Sequence, residues 1–207
     1  ASAKRITVVA PFYPYARQDK KHAGREPISA RLIADLFKTA GANRLMSVDL
    51  HAAQIQGFFD GPVDHLWALP VLSEYIDQTY DTSEMTVVSP DAGRVRLADM
   101  WSDRLNVPLA IIHKRRDHNV ANTVVVHEVV GDVHGRVCLL VDDMIDTAGT
   151  IVQAAEALMA RGAKSVMAAA TLPVLSGPAV ERLTASPITD VIVTNTLPIP
   201  VERRFAG

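Results

Sequence analysis

An apolar run that ends in acids and continues into small residues constrains the fold of this chain more than any other stretch. Val137–Val141 has no polar break, which is typical of a strand buried on both faces of a parallel sheet. Asp142 and Asp143 follow at its carboxyl end, where open α/β sheets bind ligands. From Ile151 the apolar spacing becomes helical. The stretch therefore predicts a strand, a ligand loop and a helix, in that order.

The segment between this strand and this helix, Thr147–Thr150, has the composition of an anion-binding turn. Backbone N–H groups, hydroxyls and a helix N-terminus can all point at one anion there. Asp142, Asp143 and Asp146 cannot face a phosphate directly, so they fit a sugar's hydroxyls or a magnesium ion placed before a polyphosphate. The plain alternative is that Asp146 and Thr147 only cap a helix, but the whole pattern favours a ligand site.

Composition sets broad limits on the function. The 207 residues suffice for one large domain or two small ones, and the net charge of −2 gives no electrostatic case for binding nucleic acid or an anionic membrane. Any phosphate binding must therefore be local. The longest apolar runs are too short to span a bilayer, and no signal-peptide pattern opens the chain. Cys138 is the only cysteine, so no internal disulfide can form and a cytoplasmic location is expected.

The N-terminal part shows two strands that each end in polar residues. Ile6–Ala10 precedes the cation-rich segment Ala16–Pro27, which fits a loop that meets an anion, although such a segment alone is more often just solvated. Arg44–Leu50 is the next strand, and His51 follows it. A lone histidine in such a place is more often a satisfied structural residue than a ligand. The turn at Gly61–Asp64 is the candidate domain boundary, which gives domains 1–64 and 65–207.

The C-terminal part repeats this layout. Met85–Val88 is a predicted strand, and Asp91 and Gly93 follow it before a helix, which fits either an anion or metal site or an ordinary turn and cap. Leu109–His113 is another strand, and the cations Lys114–Arg116 come after it. Three consecutive cations are usually a solvated patch.

Taken together, these motifs resemble one family. The Asp142–Thr150 stretch resembles the phosphoribosyl-pyrophosphate loop shared by type I phosphoribosyltransferases and ribose-phosphate pyrophosphokinases. Arg17-Gln18-Asp19 and Ser47–Phe59 resemble the pyrophosphokinases rather than the transferases, and the resemblance runs from about Val9 to about Leu197. It implies an α/β fold of two phosphoribosyltransferase type I-like doubly wound domains with mostly parallel sheets.

The resemblance also assigns roles to individual residues. The ribose 5-phosphate site is formed by Asp142 and Asp143 at the ribose hydroxyls and by Asp146, Thr147, Ala148, Gly149 and Thr150 at the 5-phosphate. ATP contacts are Arg17, Gln18, Asp19 and His51. His51 lies beside the catalytic Mg²⁺, which Asp91 contacts, and Lys114 and Arg116 stabilise the charge that develops during transfer, on a loop that closes over ATP.

The reaction that this resemblance implies is diphosphoryl transfer from Mg-ATP to the anomeric hydroxyl of ribose 5-phosphate. Its partners are ATP, ribose 5-phosphate and further copies of the chain in a dimer or hexamer, with no nucleic acid and no membrane. One alternative is a phosphoribosyltransferase, which has no need of Arg17-Gln18-Asp19 or of Lys114–Arg116. The other is a non-catalytic homologue that binds a nucleotide or a sister subunit.

Three departures from the family pattern stand out. Ala148 occupies a place where family loops commonly have glycine, and a positive φ there would cost alanine about 1–2 kcal/mol. Arg94 stands where many relatives have a second glycine. The resemblance starts at about the family's third strand, so the first domain is expected to be incomplete, as in a fragment, an engineered core or a degenerate member.

Overall fold

Strands and helices alternate along the chain in two separate units. The computed structural model describes residues 2–21, 23–116 and 125–204, without the side chains of residues 114–116, 125–127 and 202. The units are Ala1–Ala68 and Leu69–Gly207. The boundary predicted at residue 64 falls inside a strand of the first unit, whereas the units divide after Ala68.

The first unit has a sheet of three parallel strands in the order β1-β2-β3. Its elements are β1 (Thr7–Ala10), α1 (Ser29–Thr39), β2 (Arg44–Val48) and β3 (Val63–Leu66). α1 connects β1 to β2, and a short 3-10 helix, Ala53–Gly57, lies between β2 and β3. Because the three strands are parallel, the segments that follow β1 and β2 leave the sheet at the same edge.

The second unit has six strands in the order β6-β5-β4-β7-β8-β9, and only β5 and β6 pair antiparallel among the described strands. Its elements are α2 (Leu69–Thr79), β4 (Met85–Ser89), α3 (Val95–Leu105), β5 (Leu109–Arg116), β6 (Val125–Val130), β7 (Val137–Ile145), α4 (Gly149–Ala160), β8 (Ser165–Pro173), α5 (Ala179–Thr184) and β9 (Ile188–Val193). The chain winds from β4 toward β5, and from β7 in the opposite direction. The strand order therefore reverses between β4 and β7, where open α/β sheets place their ligands.

The predicted α/β fold with mostly parallel sheets is confirmed, but two predicted strand ends are wrong. β7 does not stop at Val141; it continues through Asp142 and Asp143 because β8 pairs with it as far as Ile145. β5 likewise runs through Lys114–Arg116, which pair with β6, so these cations belong to a strand rather than to a separate loop.

The core of the second unit lies around β7. Cys138 and the three residues after it are fully buried, as expected for a strand that is covered on both faces. α4 packs on this strand through residues that include Ile151 and Leu158. Burial raises the pKa of the Cys138 thiol to about 11, which fits a small apolar core residue. None of the helices in the described ranges is long and apolar enough to cross a bilayer.

Candidate functional site

The strand reversal in the second unit brings an arginine onto two adjacent carboxylates. Arg94 follows β4, and its Nε lies 2.8 Å from Oδ1 of Asp142 at the end of β7. Its Nη2 lies 2.9 Å from Oδ1 of Asp143. The arginine side chain is 20% exposed, and the two carboxylates are 19% and 7% exposed. The guanidinium therefore bridges the two acids that sequence analysis assigns to a sugar's hydroxyls.

These two acids influence each other's protonation. Burial raises the pKa of Asp142 well above the ordinary carboxyl value, and the neighbouring Asp143 raises it further. The positive charge of Arg94 acts in the opposite direction. The free energy of keeping both carboxylates ionised therefore depends on this arginine.

The turn that carries Arg94 is shaped by Asp91. The Asp91 carboxylate accepts a hydrogen bond from the Gly93 N–H at 2.8 Å and so caps the 3-10 turn Ala92–Arg94. Ser89 Oγ donates to the Asp91 carbonyl at 2.7 Å. Asp91 is thus a turn cap in this structure, and a role as a magnesium contact remains a prediction.

The loop after β7 contains a strained residue at the start of a helix. Ala148 has φ 60° and ψ 1°, the left-handed region predicted to be costly for alanine, and it is the N-cap of α4. The helix begins at Gly149 rather than at Ile151, since the Val152 N–H already donates to the Ala148 carbonyl at 3.0 Å. The first N–H groups of a helix lack partners within it, so this turn presents donors to an anion.

The segment between β8 and α5 forms hydrogen bonds with the loop after β7. The Leu175 N–H donates to the Ile145 carbonyl at 2.9 Å, and the Ser176 N–H donates to the Asp146 carbonyl at 3.0 Å. Ser176 Oγ also donates to the Asp146 carboxylate. Asp146 is therefore held by a neighbouring loop as well as by its own strand.

Sequence reasoning missed two arginines of the second unit that contact the loop after β7 and the paired carboxylates. Arg182 of α5 donates from Nη1 to the Thr147 carbonyl at 3.0 Å, and Arg94 binds the paired carboxylates. Arg94 was noted only as a replacement for glycine. A signal for Arg182 was available, because the segment after β8 must leave the sheet next to the segment after β7 when the two strands are parallel neighbours.

In the first unit, the turn after β2 is tied to the end of β3. Asp49 has a positive φ of 43°, and its Oδ2 accepts a hydrogen bond from the Ala68 N–H at 3.1 Å. The Leu50 N–H donates to His65 Nε2 at 3.0 Å. Burial lowers the pKa of His65, which favours the neutral ring that this acceptor role requires. These contacts fix the backbone that leads directly into His51.

The loop after β1 meets the same turn region. Asp19 is buried, at 8% exposure, and accepts a hydrogen bond from Gln54 Nε2 in the 3-10 helix after β2. Arg17 and Gln18 are exposed beside it. Arg17, Gln18, Asp19 and His51 thus share the carboxyl edge of the first sheet. The Asp19 carboxylate has an internal partner, and the side chains of Arg17 and Gln18 are exposed.

Two other predicted groups stand apart from these clusters. The side chains of Lys114 and Arg116 lie outside the described part of the chain, although their backbone belongs to β5. Within the described ranges, no group of three or more His, Cys, Asp or Glu side chains could by itself hold a metal ion. His51 belongs to the first unit and Asp91 to the second.

The second unit belongs to the class of α/β proteins with a mostly parallel, doubly wound sheet, and it carries paired carboxylates and a helix-starting turn at its strand-order reversal. Two family descriptions match the sequence. The N-terminal domain of ribose phosphate pyrophosphokinase matches residues 1–41, and the phosphoribosyl synthetase-associated domain matches residues 123–205.

Individual relatives agree with these matches. The ribose-phosphate pyrophosphokinase of Streptomyces avermitilis is 68% identical over 202 residues, which are 98% of this chain and 62% of that protein. The Mycobacterium tuberculosis protein of the same name is 63% identical over 205 residues, or 99% of this chain and 63% of that protein. The crystal structure of phosphoribosylpyrophosphate synthetase from Mycobacterium smegmatis has a TM-score of 0.91 and 60% identity, and the match covers 99% of this chain and 66% of that one.

The chain belongs to the ribose-phosphate pyrophosphokinase family, which confirms the predicted family. It spans 62% of the length of the Streptomyces avermitilis relative.

Proposed function

We propose that this chain transfers the diphosphoryl group of Mg-ATP to the anomeric hydroxyl of ribose 5-phosphate, giving phosphoribosyl pyrophosphate and AMP. The observation that carries the proposal is the position of the Asp142–Asp143 pair directly before the Asp146–Thr150 loop at a strand-order reversal. Carboxylates accept hydrogen bonds from sugar hydroxyls, and a helix N-terminus favours a phosphate, so one phosphorylated sugar satisfies both features.

The acceptor sugar would bind with its hydroxyls at the carboxylates and its 5-phosphate at the loop. Arg94 contacts Oδ1 of Asp142 and Oδ1 of Asp143, and each carboxylate has a second oxygen. The arginine therefore lowers the free energy of ionising the two acids at which a sugar hydroxyl would bind. Ala148, in its left-handed conformation, lies directly before α4, and the first N–H groups of α4 would hold the phosphate.

The donor nucleotide would bind at the edge of the first sheet, where the guanidinium of Arg17 is exposed. Arg17 and Gln18 supply donors for phosphate or base, and the Asp19–Gln54 hydrogen bond holds their loop in place. Lys114 and Arg116 are proposed to stabilise the charge that develops on the transferred group. Magnesium, as the family implies it, would neutralise charge on the polyphosphate.

The residues present fit a magnesium ion that is held mainly by its substrate. Mg²⁺ usually keeps several waters and binds one or two carboxylates plus substrate phosphates. The carboxylate of Asp91 supplies the type of oxygen ligand that this preference requires. Imidazole is a poorer ligand for Mg²⁺ than oxygen, so any contribution of His51 to metal binding would be indirect.

In the proposed reaction, the anomeric oxygen attacks the β-phosphorus in line. An O–P bond forms to the sugar, the bond from the β-phosphorus to the α,β-bridging oxygen breaks, AMP leaves, and the hydroxyl proton is released. The chain would act mostly by positioning the two substrates and by neutralising charge, as in other phosphoryl transfers.

The test is AMP formation from ATP and magnesium when ribose 5-phosphate is added to the purified chain, with phosphorus NMR to detect a diphosphate at the anomeric carbon. Asp143→Asn keeps the shape of the side chain but removes its charge, so it should abolish the ribose-dependent signal. Asp99→Asn, on the exposed face of α3, is the matched control and should behave like the parent. Ligand binding without AMP formation would instead fit the non-catalytic homologue.

A second variant tests the assignment of the donor half. Lys114→Ala should lower the rate of transfer while the affinity for ribose 5-phosphate stays unchanged, because the lysine would act on charge that develops during transfer. A rate equal to that of the parent would remove Lys114 from the proposed mechanism.

Assembly and location remain proposals as well. We propose a homo-oligomer, supported by the apolar side chains of Val9, Leu32 and Leu36 in the first unit, which are 62%, 55% and 53% exposed. Light scattering on the purified chain would test it, and a monomer at all concentrations would contradict it. We propose a cytoplasmic location because the one cysteine, Cys138, is a free thiol.

A further inference from the structure

We propose that Arg182 is a positioning residue of the ribose 5-phosphate site, and that it fixes the Thr147–Ala148 peptide so that the loop favours a phosphorylated acceptor. This inference rests on the proposed function and deepens it. Its basis is the hydrogen bond from Arg182 Nη1 to the Thr147 carbonyl at 3.0 Å.

Peptide geometry links this carbonyl to the anion site. In a trans peptide the C=O of one residue and the N–H of the next point in opposite directions. A bond that holds the Thr147 carbonyl toward Arg182 therefore holds the Ala148 N–H toward the other side of the loop. That N–H belongs to the turn that precedes α4 and is one of the donors that an anion would meet.

Arg182 completes a series of contacts along the loop. The carbonyls of residues 145–147 accept hydrogen bonds in turn from the Leu175 N–H, the Ser176 N–H and Arg182 Nη1. The first two contacts come from backbone N–H groups, which truncation of a side chain leaves in place. The third comes from a side chain, so its contribution can be measured.

The strain at Ala148 gives an independent reason for such support. A left-handed alanine persists only where its surroundings hold it, and the Arg182 bond acts on the peptide directly before it. The Arg182 guanidinium also lies close to Gly149. A Cβ built on Gly149 would lie 3.3 Å from Arg182 Nη1, so the absence of a side chain at Gly149 leaves room for the arginine.

Charge favours the same interpretation. Asp146 is the only charged residue among positions 146–150, and it is negative, as are Asp142 and Asp143 before it. A phosphate that enters this loop meets three acids, and Arg94 already bridges two of them. The guanidinium of Arg182 adds a positive charge at the loop itself, which lowers the cost of bringing a phosphate there.

The test measures ligand affinity by calorimetric titration of the full chain with ribose 5-phosphate and, separately, with Mg-ATP. Arg182→Met should weaken ribose 5-phosphate binding by at least about tenfold and leave the affinity for Mg-ATP unchanged. Arg182→Lys keeps a donor and the charge and should stay within about threefold of the parent. Arg161→Met, at the opposite end of α4, removes the same charge from an exposed site and should match the parent.

Several outcomes would overturn the inference. Equal ribose 5-phosphate affinity in the parent and Arg182→Met would refute it while the proposed function stands. A fall in affinity for both ligands, together with a lower urea midpoint than that of Arg161→Met, would show a structural role only. If the parent itself fails to bind ribose 5-phosphate, the proposed function fails and this inference falls with it.

Discussion

Replacing Arg94 by methionine should destabilise the second unit in a pH-dependent way. Methionine keeps much of the side-chain volume but removes the positive charge that bridges Asp142 and Asp143. Two adjacent carboxylates then remain in a site where burial already disfavours their charged form. The variant can escape this penalty only if one carboxyl takes up a proton.

The magnitude follows from the burial of the three groups. Removing one partner of a fully buried pair costs about 3–5 kcal/mol. Arg94 and Asp142 are each about one fifth exposed, at 20% and 19%, while Asp143 is 7% exposed. Solvent therefore reduces the cost, and we expect a loss of about 2–3 kcal/mol in the free energy of unfolding when both acids are ionised.

The sign of the pH effect follows from linkage. The pKa of Asp142 in the folded chain lies above the ordinary carboxyl value, so the folded state binds this proton more tightly than the unfolded chain does. Without Arg94 that pKa rises further. The loss should therefore shrink as the pH falls through the interval between the higher Asp142 pKa of the variant and the parent's pKa of about 8. Below that interval the carboxyl is protonated in both folded proteins, and the loss should stay at about 1 kcal/mol.

The assay is urea unfolding of the parent and Arg94→Met at about pH 9.5 and about pH 7, on either side of the parent's raised Asp142 pKa, with the free energy taken from linear extrapolation. Arg96→Met, on the exposed side of α3 near the same turn, is the matched control and should change the free energy by less than about 0.5 kcal/mol. An equal loss at both pH values would refute the argument from coupled carboxylates. A loss at the higher pH no greater than that of the control would refute the ion-pair argument altogether.

Three further predictions concern backbone strain and the core. Gly131→Ala should lower the free energy of unfolding by about 3 kcal/mol, because φ is +114° and the new Cβ would lie 2.8 Å from the Ala110 Cα; an unchanged urea midpoint would contradict this. Ala148→Gly should change stability by less than about 1 kcal/mol, since relief of about 1–2 kcal/mol of strain is offset by a lost buried methyl and a more flexible unfolded chain. The Cys138 thiol, with its pKa raised to about 11, should react with a disulfide reagent only on unfolding, and rapid labelling of the native chain would contradict its burial.

Sequence reasoning succeeded where the pattern is local. The apolar run at Val137 predicted a buried strand, and the small residues after it predicted a turn before a helix, because hydrophobic spacing and turn chemistry are both written in short segments. The cost at Ala148 was expected from the resemblance, because family loops commonly have glycine there, and the positive φ of 60° shows that the condition for that cost is met.

It failed where partners far apart in the chain decide the structure. β7 runs on through Asp142 because β8 pairs with it, and β5 runs through Lys114–Arg116 because β6 pairs with it. No pattern within a single segment predicts which strand pairs with it. Arg94 and Arg182 were missed for the same reason, since each reaches the site from another element.

The position of β4 at the strand-order reversal also has a consequence for protein synthesis. All five residues of β4 are buried, and its two neighbours are β5, which follows soon along the chain, and β7, which follows the whole β5–β6 pair. Until β7 leaves the ribosome, the nascent sheet has an apolar open edge of the kind that chaperones bind and that aggregates form from. The ion pairs from Arg94 cross the same junction, so the site that we propose for the acceptor sugar forms only when that edge closes. In a growing chain, binding of ribose 5-phosphate at that proposed site would therefore report that β7 has paired with β4.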